Sequence, residues 1–236
     1  MIKLNKSKSV KNNQTVIFLA DDISKINQLS KEQATYFKKD FKKEKVQYTK
    51  SNIYTYVVNT KKQSAEELRI EAFNIHKNIK GNKEITVVGE NKKDTLAFLE
   101  GLLLSNYQFL KYFSDKDKKK NKLEKVDVVG NVTHKELEEL ENLTTAVYWA
   151  RDMVNEPVSY LDAIKIAEEI QDKGDEAGNY TVEIFEQTKI ESLKMGGLLA
   201  VNQGSETPAT FTIIEYKPKN AINKKPYVLV GKGVVY

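Results

Sequence analysis

Lys232 is the residue whose surroundings point most directly to chemistry. It lies between Gly231 and Gly233, immediately after the apolar run at residues 227–230, within the last six residues of the chain. The apolar run predicts a buried strand. A strand that ends in Gly-Lys-Gly favours contact between the lysine and a bound group, because glycine lets the backbone approach a ligand closely. The segment therefore looks like half of a metal site, with the other half missing from the 236 residues.

Two further clusters of glycine and polar residues lie upstream. Residues 151–157 end in Asn155-Glu156-Pro157, and residues 195–205 combine two adjacent glycines with an Asn-Gln-Gly-Ser run. Taken singly, the first is typical of a helix stopped by proline, and the second of a helix end, a strand and a turn. Neither cluster alone shows whether its residues serve the backbone structure or a functional site. Their order and spacing relative to Lys232 must therefore be considered together.

Together, the three clusters resemble the leucyl aminopeptidase (cytosol aminopeptidase) family. That family has a run like A-R-D-L-V-N-E-P, then M-G-G-L-L-A-V-x-Q-G-S, then E-Y, and then V-G-K-G-V. The counterparts here are residues 150–157, residues 195–205, Glu215-Tyr216 and residues 230–234. Residues 100–107 also look like an E-G-x-x-L segment on a helix of the family's N-terminal domain. The resemblance covers roughly the last 140 residues well and roughly the first 95 poorly.

The resemblance implies an α/β fold with a defined domain order. Residues 1–132 would form a macrodomain-like N-terminal α/β domain, residues 133–157 a long linker helix, and residues 158–236 the beginning of a catalytic α/β domain. The family releases N-terminal residues such as leucine from peptides, holds two divalent metal ions (zinc or manganese) and commonly assembles as a hexamer. The lysine of its V-G-K-G motif is a metal ligand, which makes Lys232 the predicted ligand here. Only a neutral amine can donate a lone pair, and burial beside a dication favours that form.

The chain departs from the family after Tyr236. The family's other metal ligands, in an Asp-Thr-Gly-Gly run, a later aspartate and an Asp-Ala-Glu-Gly-Arg run, would all follow that residue, as would its catalytic arginine and lysine. A two-metal hydrolytic site needs several carboxylates to hold the ions and generate a hydroxide at neutral pH. We therefore expect no catalytic residue, no bound metal pair and no peptidase activity in the 236-residue chain.

Composition narrows the function classes further. The net charge of +5 comes almost wholly from lysine, since Arg69 and Arg151 are the only arginines, and arginine is the side chain favoured for bidentate phosphate and base recognition. Nucleic acid is therefore not an expected partner, and the lysine-rich residues 115–122 are predicted to form an exposed loop. The absence of cysteine excludes disulfides and thiolate metal sites. His76 and His134 are too far apart for a short-spaced metal motif and are predicted to be polar surface or cap residues.

The sequence predicts neither a signal peptide nor a membrane span. The N-terminus has no apolar core of signal-peptide length, and no window approaches ~18 uncharged apolar residues. A cytoplasmic location is therefore the prediction, with peptide substrates and homo-oligomers as the partners that the resemblance implies.

Two other functions stay open at this point. The N-terminal domain could be a binding module, since macrodomain-like folds often bind ADP-ribose and some bacterial relatives bind DNA. No glycine-rich loop suited to a diphosphate is visible in it. The chain could also be a regulatory paralogue that ends naturally at Tyr236, although a core strand followed at once by the chain end is a poor terminus.

Strands and helices alternate along the chain, which is typical of the α/β class. The central element is a helix in which Thr133 and Glu136 form a capping box and Pro157 forces an end near Asn155, and the domain boundary is predicted along it. Strands are predicted at residues 15–19, 47–58, 84–88, 125–129, 181–185, 198–201, 211–216 and 227–230. Helices are predicted at residues 64–81, 93–113, 133–155, 163–173 and 188–195.

Overall fold

The computed structural model describes residues 1–11, 13–43, 45–50 and 53–233. The chain divides into two compact units, Met1–Arg151 and Asp152–Tyr236. The predicted α/β class is confirmed, because strands alternate with helices and most strand pairs are parallel. The dividing point lies inside one continuous helix, His134–Asn155. The macrodomain-like character of the first unit stays a prediction.

A six-stranded sheet forms the centre of the first unit. Its strands are β1 (Lys3–Lys6), β2 (Thr15–Ala20), β3 (Lys45–Lys50), β4 (Ile53–Asn59), β5 (Glu84–Gly89) and β6 (Lys125–Gly130). The strand order is β1-β6-β5-β2-β4-β3, and every neighbouring pair is parallel except the β3–β4 hairpin. Strand β2 is buried along its whole length, as a continuous apolar run in a parallel sheet predicts.

Helices cover both faces of this sheet. They are α1 (Lys31–Asp40), α2 (Ala65–Ile79), α3 (Lys92–Ser105), the short α4 (Lys116–Lys119) and α5 (His134–Asn155), with a 3-10 turn at Ile23–Lys25. The larger hydrophobic core forms between one face and α2, α3 and the start of α5. The smaller core forms around Phe37 of α1 on the other face. The first unit therefore has a closed apolar interior.

Helix α2 forms as the sequence predicts. Ser64 Oγ accepts a hydrogen bond from the Glu67 backbone N–H at 3.3 Å, and the Glu67 carboxylate accepts the Ser64 N–H at 2.6 Å. Ser64 and Glu67 thus form a capping box, which begins the helix at the predicted position. Leu68, Ala72 and Ile75, which repeat at helical spacing, are all fully buried against the sheet.

Helices α2 and α3 cross so closely that only glycine fits at the crossing. A Cβ on Gly101 would lie 2.5 Å from the Cα of Arg69 and 2.4 Å from its carbonyl oxygen. Beside this contact, Arg69 Nε donates a 2.8 Å hydrogen bond to the Glu100 carboxylate. The Glu100-Gly101 pair, part of the E-G-x-x-L resemblance, therefore fixes the packing of two helices.

The second unit is smaller and more open. Its elements are α6 (Ala163–Ala177), β7 (Thr181–Glu186), α7 (Gln187–Ser192), α8 (Gly196–Asn202) and β8 (Thr210–Glu215), and β7 pairs antiparallel with β8. Among the described residues of this unit, the fully buried apolar side chains are Ala167, Ile190 and Ala209. The second unit therefore has little apolar interior of its own.

Two strands predicted for the second unit do not form. Residues 198–201 lie in α8, where the Leu199 N–H bonds the Met195 carbonyl at 3.2 Å in helical spacing. A run of four apolar residues fits either geometry, so periodicity alone could not separate them. Residues 227–230 carry neither helix nor strand. Their apolar composition was the sole basis for that prediction.

Three boundaries also differ from the prediction. The helix predicted to reach residue 113 ends at Ser105, because Asn106 closes it with an N–H to the Leu103 carbonyl at 3.0 Å. The single strand predicted at residues 47–58 is the β3–β4 hairpin, whose turn lies outside the described residues. The predicted exposed loop at residues 115–122 contains the short helix α4.

Candidate functional site

The structure places Lys232 on an exposed segment that follows β8. Between β8 and residue 233 the chain has neither helix nor strand, and Leu229 and Val230 just before Lys232 are 96% and 91% exposed. The strand predicted to present Lys232 is thus absent from the described part of the chain. Val234, which completes the V-G-K-G-V motif, lies outside that part. The role of Lys232 as a metal ligand stays a prediction.

The first motif, residues 150–157, lies on the last turn of α5. The helix ends at Asn155, as Pro157 predicts. Arg151 Nη1 donates a 2.9 Å hydrogen bond to the Leu104 carbonyl in the last turn of α3, which places a cation at the negative end of that helix. The arginine of the motif therefore anchors α5 to α3.

Tyr148 makes a similar contact one turn earlier in α5. Its hydroxyl donates to the Leu103 carbonyl at 2.5 Å. Its ring packs edge-to-face against the Tyr107 ring, with 5.1 Å between the ring centroids. Burial raises the pKa of Tyr148 to about 12, so the phenol stays protonated and remains a donor. Arg151 thus satisfies the Leu104 carbonyl at the end of α3, and Tyr148 adds a second donor to the Leu103 carbonyl, which already accepts the Asn106 N–H.

The second motif, residues 195–205, forms α8 and the turn that follows it. The turn is closed by Ser205, whose hydroxyl donates to the Thr207 carbonyl at 3.0 Å. Gly196 and Gly197 are exposed, and a Cβ added to either would meet no atom within 4 Å. No contact among the described residues therefore requires glycine at these two positions.

A metal centre would need several ligands close together. Among residues 1–11, 13–43, 45–50 and 53–233, no three His, Asp or Glu side chains are grouped so that they could hold a metal ion. A two-metal hydrolytic centre is built largely from carboxylates, and Lys232 could supply one nitrogen ligand at most. The described residues by themselves do not fit such a centre, and no hydrolytic step follows from them.

The carboxyl ends of β2 and β5 form the place where an α/β sheet of this kind would bind a nucleotide. Helices α1 and α3 follow these neighbouring strands on opposite faces, which creates a topological switch point. The residues there are acidic: Asp21 and Asp22 follow β2, Glu90 follows β5, and Asp94 lies in the first turn of α3. Burial and the nearby Asp21 raise the pKa of Asp94. This concentration of carboxylates disfavours the diphosphate of ADP-ribose.

Two features of the first unit were missed or misjudged from the sequence. Helix α1 was not predicted, although Ser30 and Gln33 form a capping box that signals it. His76, predicted to be a surface or cap residue, is buried and bonds Asn106 Oδ1 through Nε2 at 2.9 Å. The prediction was wrong because His76 lies four positions after Ala72 and three before Ile79. This spacing places it on the buried apolar face of α2.

None of the helices in the described part of the chain combines the length and the apolar composition that crossing a bilayer requires.

Comparison with known proteins bears mainly on the second unit. Residues 148–236 match the family described as "Cytosol aminopeptidase family, catalytic domain". A "probable cytosol aminopeptidase" from Sulfurihydrogenibium sp. is 37% identical over 144 residues, which cover 59% of this chain and 28% of that protein. A second "probable cytosol aminopeptidase", from Persephonella marina, is 32% identical over 192 residues, which cover 75% of this chain and 35% of that protein. The chain thus spans about a third of the length of these relatives.

Solved structures show the same fold. A mutant of tomato leucine aminopeptidase superposes with a TM-score of 0.75 at 16% identity, covering 95% of this chain and 52% of that one. The bottromycin maturation enzyme BotP, in complex with Mn, gives a TM-score of 0.67 at 18% identity, covering 86% of this chain and 45% of that one. At these low sequence identities the structural similarity establishes the fold of the chain and says nothing about its chemistry.

Proposed function

The chain belongs to the cytosol aminopeptidase family, and from this premise we propose that the whole protein is a metal-dependent aminopeptidase. Its substrates in this proposal are peptides, from which it releases N-terminal residues such as leucine. The observation that carries the proposal is the match of residues 148–236 to the family's catalytic domain, a span that contains all three motifs in order.

We propose Lys232 as one ligand of a pair of divalent ions, zinc or manganese. The support is its place in the V-G-K-G run and the flexibility that Gly231 and Gly233 give the backbone on either side. When bound, the metal pair would supply a water activated for attack on a peptide carbonyl. The remaining ligands are not among the described residues, so the 236-residue chain alone is proposed to be inactive.

Two polypeptides test this proposal. We expect the product of the complete open reading frame to hydrolyse leucine p-nitroanilide with Mn²⁺ or Zn²⁺ and to lose activity in a chelator, whereas the 236-residue chain shows no hydrolysis. The nucleotide sequence after the codon for Tyr236 is a separate check. A stop codon there, or an inactive full-length product, would contradict the proposal.

A pair of variants tests the ligand assignment. Lys232→Met in the full-length product removes the amine while keeping a side chain of similar length, and it should lower both bound metal and activity. Lys224→Met is the matched control, because Lys224 is an exposed lysine in the same segment. Equal metal content in both variants would remove Lys232 from the ligand set.

A cytoplasmic location and a hexameric assembly are further proposals that rest on the family resemblance. Sedimentation of the full-length product tests the assembly, and a monomer at micromolar concentration would contradict it.

A further inference from the structure

The two edges of the six-stranded sheet differ in how their backbone groups are satisfied. At one edge, the Leu4 N–H of β1 donates to the Glu141 carboxylate of α5 at 2.5 Å, and Lys3 Nζ lies 3.7 Å from the same carboxylate. The outer side of β1 is therefore occupied by a side chain of the chain itself. A covered edge of this kind does not accept a further strand.

The opposite edge is formed by β3 and is open. Among residues 1–11, 13–43, 45–50 and 53–233, β4 is the sole strand that pairs with β3. Because the backbone groups of an antiparallel strand point alternately to either side, about half of those in β3 point away from β4. No backbone hydrogen bond from another part of the described chain reaches them. This edge can therefore pair with an added strand.

The lysines of β3 do not protect its edge. Exposed edge strands are commonly protected by lysine, and β3 begins and ends with one. Both amines are neutralised by carboxylates on the helices that cover the two faces of the sheet. Lys45 Nζ pairs with the buried Glu71 of α2 at 2.6 Å, and Lys50 Nζ pairs with Glu32 of α1 at 3.5 Å. The strand therefore presents little net charge to an approaching backbone.

An aromatic surface lies beside the open edge, on the face that α1 covers. The Tyr36 ring, which is 43% exposed, packs edge-to-face against the Tyr48 ring of β3, with 5.3 Å between the ring centroids. Val46 lies on the same face of β3, two positions before Tyr48. Aromatic side chains supply much of the binding energy of protein interfaces. An added strand would cover this surface.

We propose that β3 pairs with β3 of a second copy of the chain, antiparallel and with two-fold symmetry centred on Gln47. The cross-strand pairs are then Val46 with the partner's Tyr48, Gln47 with the partner's Gln47, and Lys45 with the partner's Thr49. A β-branched side chain opposite an aromatic ring is a favourable pair, and no two lysines face each other. Parallel pairing would instead place each lysine level with its counterpart. The sequence of the strand is thus complementary to itself in one register.

This contact is separate from the hexamer proposed above, which rests on the family resemblance and names no surface. A two-fold contact uses the same residues on both copies, so it closes after two copies. All its residues belong to the first unit. The 236-residue chain is therefore expected to dimerise without metal, substrate or catalytic activity. Failure of either proposal leaves the other standing.

Cysteine cross-linking tests the register, because the chain has no cysteine of its own. Gln47→Cys places two thiols opposite each other at the two-fold axis, within the ~7 Å Cα separation that a disulfide can span. Thr49→Cys is the matched control: it is exposed on the same face of β3 but would lie roughly 14 Å from its counterpart. After mild oxidation, non-reducing electrophoresis should show at least tenfold more linked dimer for Gln47→Cys. Equal yields, or no linked dimer from either variant, would overturn the proposal.

A charge variant tests the contact without a cross-link. Gln47→Lys places two lysines opposite each other at the axis and should weaken association at least tenfold, measured by light scattering after size exclusion in the micromolar range. Gln28→Lys is the control, because it makes the same charge change at an exposed glutamine outside β3 and should retain the dimer. Circular dichroism confirms that each variant is folded. A monomeric unchanged chain, or a dimer that Gln47→Lys does not weaken, would overturn the proposal.

Discussion

The glycines of the two units differ in what surrounds them. In the first unit, a Cβ on Gly101 would meet the Arg69 backbone, and a Cβ on Gly130 would lie 1.8 Å from the Gly89 carbonyl oxygen. In the second unit, a Cβ on Gly197 or Gly231 would meet nothing within 4 Å. Gly101 and Gly130 are thus required by the packing of the first unit, whereas Gly81 has open space around it. In the second unit Gly174 packs against Val182, but the glycines of the second and third motifs meet no atom among the described residues, which is consistent with a role at a bound group.

Buried polar groups show the same contrast. All the fully buried polar and charged side chains of the described residues, including His76 and Asp127, lie in the first unit. The first unit therefore encloses groups whose protonation affects its stability. The described residues of the second unit enclose none. Five predictions test these two contrasts, in order of expected effect.

The largest effect is expected for Gly130→Ala. Gly130 has φ +133°, which side chains rarely adopt, and the new Cβ would clash with the Gly89 carbonyl. The combined strain and overpacking should lower the free energy of unfolding by about 3–5 kcal/mol. Urea denaturation followed by circular dichroism measures it. A loss below about 1 kcal/mol would mean that β5 and β6 are not packed as described.

The next effect is expected for Asp127→Ala. The Asp127 carboxylate is fully buried, and it accepts hydrogen bonds from Asn5 Nδ2 at 2.7 Å while pairing with Lys11 Nζ at 2.6 Å. Removing it leaves the Asn5 amide without its partner and should cost about 1–3 kcal/mol. Chemical denaturation at pH 7 is the measurement, with Asp117→Ala, an exposed aspartate, as the control.

Asp127 should also contribute to acid sensitivity. Burial opposes its ionisation, but the hydrogen bonds from Lys11 and Asn5 outweigh burial, so its pKa lies below 3.8. A carboxyl whose pKa is depressed on folding stabilises the protein above its unfolded pKa and loses that contribution as pH falls through the folded pKa. The Asp127→Ala variant should therefore lose less stability than the wild type below pH 4. An identical acid response would contradict the pairing with Lys11.

His76 should give a smaller effect at milder pH. Burial lowers the pKa of His76 from 6.5, although the Asn106 hydrogen bond opposes the shift, so the folded state favours the neutral ring. Stability should therefore be complete above pH 6.5 and fall as pH drops from there, by at most about 1.4 kcal/mol per pH unit. Thermal unfolding of His76→Gln should show a flatter profile between pH 7 and 5. His134→Gln, which replaces an exposed histidine, is the control, and an equal flattening in both variants would contradict the role of His76 burial.

The smallest effect, and one of opposite sign, is expected for Gly197→Ala. Position 197 is in α8 with open space around its Cα, so alanine should stabilise the helix by up to about 1 kcal/mol. Calorimetry of the 236-residue chain tests this. A loss above about 1 kcal/mol would show that an internal contact requires this glycine and would remove the contrast between the two units.

The same contrast explains which parts of the structure could be predicted from the sequence. Helix α2 and strand β2 were predictable because local signals and burial agree: the Ser64–Glu67 capping box, and a strand of apolar residues that is buried throughout. Residues 198–201 and 227–230 were mispredicted because an apolar run implies burial, and the described part of the second unit offers little burial.

The family was predictable from the sequence, but the geometry of the candidate site was not. The order of three motifs identified the family, since motif residues need no partner to be recognised, whereas the role of Lys232 stays a prediction. The arrangement of the ligands proposed to join Lys232 could not be predicted, because none of them is among the described residues. The anchoring of Arg151 at the end of α3 was also unpredictable, since no sequence pattern links residues 104 and 151.

The pairing of β1 with β6 has a consequence for the order of folding. Residues 3–6 are synthesised first, yet their partners are residues 125–128, and the Asn5–Asp127 hydrogen bond spans 122 positions. At 5–20 residues per second, a ribosome needs about 6–24 s to make that stretch. During this time the first strand has no partner in the nascent chain. The N-terminal strand β1, although synthesised first, can therefore join the sheet only after β6 has been made. Its pairing closes a loop of more than 100 residues.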